Sequence, residues 1–156
     1  MRPFVIGFVL AGILAPFAGA QTTTITLSGF TGAMGTAAVT DFDNGSMQSA
    51  TAIAYTVAIA TPQPNVARTA TLSIRASGAF LGGTKPLGDL QWRRNDLGTW
   101  NAMTTSDAPV QSQAALSGNG AGFTNSIWLR VNLNWTTDPP ATYSTTITIT
   151  LTVTSP

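Results

Sequence analysis

The side chains that carry most acid–base and transition-metal chemistry are missing here: in 156 residues there is no cysteine, no histidine and no glutamate. Ser-His-Asp and Cys-His arrangements are therefore impossible, zinc lacks its usual ligands, and no side chain titrates of its own accord near neutrality. Charge is scarce as well, at 8% of residues against roughly a quarter in an average domain. Setting aside Arg2, six basic residues (Arg68, Arg75, Lys85, Arg93, Arg94, Arg130) face six aspartates. That neutral balance gives no electrostatic basis for binding nucleic acid. Two aspartates suffice for glycoside hydrolysis. Most of Asp41, Asp43, Asp89, Asp96, Asp107 and Asp138 fall in turn-like sequence, however, where aspartate ordinarily caps the local backbone. The chain is thus expected to be non-enzymatic, with no catalytic residue, no cofactor and no metal site.

Hydrophobic residues, in contrast, reach 44%, which excludes disorder. The N-terminus carries one positive charge at Arg2, an apolar run from Phe4 to Ala15, helix-breaking Pro16, and the small residues Ala18-Gly19-Ala20 before Gln21. This order is that of a secretory signal peptide, so residues 1–20 are expected to be removed and residues 21–156 to form one domain. A retained membrane anchor is the rival reading, because the apolar run is only a little shorter than the roughly 20 residues that span a bilayer. No second run of that length follows. The expected location is secreted, extracellular or cell-surface, or periplasmic if the cell has an outer membrane. An exported domain without cysteine must be held by strand pairing and core packing alone.

The mature sequence alternates. Tyr143, Ile147, Ile149, Leu151 and Val153 fall on one side of an extended chain, and Thr146, Thr148, Thr150, Thr152 and Thr154 on the other. Period two with β-branched, wettable threonine is the signature of a strand with one dry face. The same texture marks Thr22–Phe30 as a first strand suited to an edge, then Ala50–Thr61 with Ile53, Tyr55, Val57 and Ile59 on one face. It marks Thr69–Ser77 with Leu72, Ile74 and Ala76 inward, and a short strand around Leu90 and Trp92. Asn125–Trp135 places Ile127, Leu129, Val131, Leu133 and Trp135 inward, whereas Pro109–Leu116 reads as an edge strand or a loop. Asn44-Gly45 supplies the positive φ of a tight hairpin turn after Val39–Phe42. With no helix in evidence, seven to nine strands at short spacing describe an all-β fold: a single antiparallel immunoglobulin-like β-sandwich, with a closed barrel as the alternative.

Two loops resemble ligand sites and fail on spacing. Asp41-Phe42-Asp43-Asn44-Gly45 places its glycine one residue too early for a calcium loop and lacks a closing acid. Gly118-Asn119-Gly120-Ala121-Gly122 has no following helix to point at a phosphate and reads as a loop. Trp92 and Trp135 belong to inner faces. Trp128 instead shares the outer face with Arg130, Asn132 and Asn134, a group suited to stacking a sugar on the indole while amides and guanidinium bind its hydroxyls, or to contacting another subunit. The plainer reading has Trp128 covering the sheet and Arg130 lying across a neighbouring ring.

Ile127-Trp128-Leu129-Arg130-Val131-Asn132-Leu133-Asn134-Trp135, followed by Thr136–Leu151 with Pro140, Tyr143 and the β-branched alternation, resembles the closing hairpin of secreted bacterial β-sandwich proteins. It is similar to the ending of spore-coat-U-like and chaperone–usher pilin-type subunits. The resemblance implies subunits that assemble outside the cell by exchanging a strand, with other copies of the chain or another surface subunit as partners. It does not extend to the cysteine pair that many such subunits carry. Two functions follow: a structural or surface-assembly subunit, or a module binding carbohydrate or cell-wall polymer centred on Trp128.

Overall fold

The computed structural model describes residues 4–5, 7–8, 22–29, 33–60, 67–81, 85–116, 121–138 and 141–154. In chain order the elements are β1 (Phe4–Val5), β2 (Gly7–Phe8), β3 (Thr22–Ser28), β4 (Ala33–Gly35), α1 (Val39–Asp43), β5 (Ser46–Gln48) and β6 (Ile53–Ala60). Then come β7 (Arg68–Ala76), a 3-10 turn at Leu87–Asp89, β8 (Leu90–Arg94), β9 (Asn101–Ala102), β10 (Ala108–Leu116), β11 (Ala121–Asn132) and β12 (Thr146–Thr154). The all-β class expected from the alternation holds, and nearly all the pairing is antiparallel.

One sheet runs β3-β6-β11-β8-β9 with β5 also on β11; the other runs β10-β7-β12-β2; β1 pairs with β4. Long strands form where β-branched alternation is uninterrupted. β12 pairs with β7 from Ile147↔Ala76 to Thr154↔Thr69, and β3 pairs with β6 from Thr22↔Ala60 to Ser28↔Ala54, ending at the bend of Gly29. The period-two rule sorts side chains as expected. Tyr55, Val57, Leu72, Ile74, Leu90, Ile127, Leu129, Val131 and Ile147 are fully buried, and with contributions from both large sheets they form one core. Each fully buried aliphatic side chain contributes about 1.5–3 kcal/mol.

Three details depart from the sequence expectation. Val39–Asp43 is a single helical turn, not a strand: Asp41 Oδ2 accepts the Ala38 N–H at 2.8 Å, and Gly45, at φ +69°, ends the turn after Asn44. Asn44-Gly45 therefore joins a helix to β5 and closes no hairpin. Ala121 and Gly122 belong to β11, while Gly118–Gly120 lie outside the described residues. β11 also ends at Asn132, so the alternation does not extend to Trp135, which is 57% exposed and stacked on Phe42 at 4.5 Å with its Nε1 donating to Asp43. Leu133 is only half buried. Pro109–Leu116 takes the first of its two expected forms, an edge strand, and its register slips twice, the second time across Ala115 at φ +58°. Of the expected leader, only β1 and β2 are described.

A polar tie joins the two sheets across the core: Tyr55 Oη donates to Gln111 Oε1 at 2.7 Å. Burial pushes the Tyr55 phenol up to about 12, opposed by nearby Arg94 and reinforced by Asp96. Tyr143, the second tyrosine, is raised by burial and then by Asp138, with Lys85 opposing. Both folded tyrosines hold their protons beyond the pH at which the unfolded chain, ionising near pH 10, releases them. The contribution of Tyr55 is therefore complete below about pH 10 and is lost as pH rises toward about 12. Absorbance titration of the folded protein should show Tyr55 still protonated at pH 10.5, and Tyr55→Phe should flatten the alkaline limb of a melting-temperature profile.

Candidate functional site

Between β5 or β6 on one side and β8 on the other, β11 is the central strand of its sheet, and its alternation builds the outer face. Ile127, Leu129 and Val131 point into the core, so Trp128 and Arg130 point out, and the register sets Trp128 opposite Arg93 and Arg130 opposite Gln91. Asn95–Asp96 turns the chain back after β8. Arg94 clamps Asp96, whose carboxyl is held below its ordinary range first by that hydrogen bond, and Asn125 Nδ2 donates to the same carboxylate at 3.2 Å. This turn returns Trp100 across the sheet.

Trp100 is the organising ring. The guanidinium of Arg130 lies 4.5 Å from its centroid and that of Arg93 lies 4.9 Å away. Arg130 Nε also donates to Gln91 Oε1 at 2.7 Å, and Trp128 Nε1 donates to Asn95 Oδ1 at 2.9 Å. Partial burial, and then the like charge of Arg93, lower the Arg130 guanidinium from its ordinary value. Two cations are held side by side by an aromatic ring, and among the described residues neither has a carboxylate within ion-pair reach. Trp100 also lines a cleft of about 640 Å³ with Trp92, Leu97, Pro109 and Val110, where β8 and β9 approach β10. Trp92 is buried as expected, and its Nε1–H has no acceptor among the described residues.

Of the four candidates read from sequence, the fold brings Trp128 and Arg130 together and separates the other two. Asn132 pairs with Ser46 of β5 at the far end of the strand. Asn134 lies beyond the strand, where its Oδ1 accepts the N–H and Oγ1–H of Thr136 at 2.9 and 2.7 Å. Arg130 does lie across a ring, but the ring is Trp100. Sequence reasoning missed Trp100, Arg93 and Gln91 as members of this face. Their only signal is the period-two phase of Gln91 and Arg93 in a strand whose Leu90 and Trp92 point inward.

No protein-family model and no curated protein sequence matches this chain. What the face can do follows from its groups alone. Planar guanidiniums, an indole and side-chain amides bind flat, hydroxylated or anionic surfaces. Among the described residues no three or more acidic side chains converge as metal ligands, and no helix is long and apolar enough to cross a membrane.

Proposed function

We infer that this is an exported, non-enzymatic structural subunit of a cell-surface assembly, an immunoglobulin-like β-sandwich whose copies join by adding strand to strand. The observation that supports the reading is the outer edge of β12. Ser77 N donates to Thr146 O, so by antiparallel alternation Thr146, Thr148, Thr150 and Thr152 turn their backbone groups toward β7. Ile149, Leu151 and Val153 then turn theirs to the opposite edge. Along that edge, among the described residues, the only ladder partner is β2, parallel at Thr146↔Gly7 and Ile147↔Phe8, inside the segment that signal cleavage removes. An uncharged, β-branched edge with free N–H and C=O groups is a template for another strand, and neither lysine nor proline blunts it. At the other end, β3 is an equally uncharged edge, paired on β6 and carrying Ile25 and Leu27 onto the core. It therefore completes its own sheet and, among the described residues, leaves its other side unpaired for a neighbour.

Mass spectrometry of exported protein should find Gln21 at the N-terminus. Sedimentation velocity and negative-stain images of that mature form should show multimers, and Thr150→Lys with Thr152→Lys should return monomers of unchanged melting temperature. Mature protein that stays monomeric at high concentration overturns the assembly reading.

One observation favours a second reading, a module for carbohydrate or cell-wall polymer. Arg93 and Arg130 over Trp100, beside Trp128 and the cleft of Trp92, form a face suited to acidic sugars. Binding of an anionic polysaccharide that is abolished by Arg130→Ala, by a monomeric protein, would establish it.

A further inference from the structure

Lys85 is one of the least exposed polar groups in the molecule. Its side chain is 1% exposed, with Nζ 2.6 Å from Asp138 Oδ2 and 3.1 Å from Asp89 Oδ2. Asp138 is itself 5% exposed and Asp89 33%. The pair sits beside aromatic core: Tyr143 is close enough to feel both charges and packs edge-on against Phe80. Its geometry is fixed from both sides. Asp138 Oδ2 also accepts the Asn134 N–H at 2.8 Å, and Asp138 N returns a bond to Asn134 O at 3.0 Å. Leu81 and Ser144 exchange backbone hydrogen bonds at 2.7 and 3.1 Å, tying together the two segments from which Lys85 and Asp138 extend.

A buried amine against a buried carboxyl, with a second carboxyl in contact, is the reactant arrangement for an amide. We propose that Lys85 and Asp138 condense spontaneously into an intramolecular isopeptide bond, with Asp89 as the proton relay. The steps balance. A proton passes along the hydrogen bond from Nζ to Asp138 Oδ2, leaving a neutral amine and a carboxylic acid. The amine lone pair then adds to Cγ. A second Nζ proton passes to the Asp89 carboxylate and from there to Oδ2, which leaves as water. The Nζ–Cγ bond forms, the Cγ–Oδ2 bond breaks, Asp89 is regenerated, and nothing is oxidised or reduced.

In water an amine and a carboxylate stay apart. Groups held in a near-attack geometry instead react with effective molarities of about 10⁵–10⁸ M. Burial favours the product for a separate reason, since a neutral amide replaces two ions that the low-dielectric interior penalises. The linkage would clip the segment leading into β8 to the connection between β11 and β12, 53 residues apart in sequence. In a chain without cysteine it supplies the covalent staple that exported domains otherwise take from disulfides.

Intact mass and tryptic mapping of purified mature protein decide the matter. The wild type should weigh less than its sequence by one water, and the peptide 76–93 should emerge joined to the peptide beginning at Val131. Cyclisation of an N-terminal glutamine is distinguishable, because it loses ammonia and maps to a different peptide. Lys85→Arg keeps the cation without the reactive amine, so it should show the full mass and melt about 15 °C lower, as expected for losing a cross-link over a loop of this length. Should that variant fail to fold, Asp89→Asn retains the Lys85–Asp138 pair and should likewise show the full mass. Wild-type protein at full sequence mass, with the two peptides separate after prolonged incubation, overturns the proposal.

Discussion

Leu129→Asp should leave no folded protein at room temperature. Leu129 is wholly buried on the central strand β11, opposite Trp92 of β8, and its backbone is held by Ser49, whose N–H donates to Leu129 O at 2.8 Å. No neighbouring strand can move aside without breaking a ladder. The substitution forfeits about 2–3 kcal/mol of apolar burial and adds the cost of an unpaired carboxylate, several kcal/mol more. Together these match the whole stability of an ordinary domain, about 5–15 kcal/mol. Asn132→Asp, on the outward phase of the same strand, should cost less than about 1 kcal/mol. Denaturant melts followed by circular dichroism compare the two, and equal losses would show that the faces of β11 are assigned the wrong way round. The same substitution at Leu133 is a weaker probe, because β11 has ended there and the side chain is only half buried.

Gly122→Ala is the second large effect and arises from backbone contact. A Cβ at Gly122 would stand 1.8 Å from Val57 O and 2.8 Å from Val57 C. Both are main-chain atoms of β6, the strand that pairs with β11 from Ala121↔Ile59 to Ile127↔Ile53. A flexible side chain would yield, but a paired backbone yields only by opening the ladder. The expected cost is about 3 kcal/mol or more, comparable with forcing excess volume into a packed core. Gly78→Ala is the control. A Cβ there meets nothing within 4 Å, so the change should be neutral or slightly stabilising through the unfolded chain. Equal melting temperatures for the two variants would mean that β6 and β11 do not approach as closely as described.

The candidate face was half legible. Trp128 and Arg130 were readable because both lie inside an unbroken strand, where phase alone sets direction. Asn132 and Asn134 share their phase but lie at and past the strand's end, where Asn134 instead closes a turn onto Thr136. Trp100 was illegible. Its position over Arg130 depends on the turn pinned by Arg94 and Asp96, a contact between the end of β8 and the loop after it.

What the residues determine alone is whatever depends on near neighbours along the chain. Alternating Thr and β-branched apolar positions commit β3, β6, β7, β11 and β12 to strands and choose their inner faces, because successive side chains must point opposite ways. Absent residue types close off whole classes of chemistry before any folding. What the tertiary structure decided is what depends on distant segments meeting. Trp135 continues an apolar phase but leaves the core, because β11 ends three residues earlier and Phe42 offers a ring outside it. Lys85 stands in turn material by sequence, Gly82-Gly83-Thr84-Lys85-Pro86. It is buried only because Asp138, 53 residues on, arrives beside it with the connection into β12, and charge pairing of that kind has no period along the chain to reveal it.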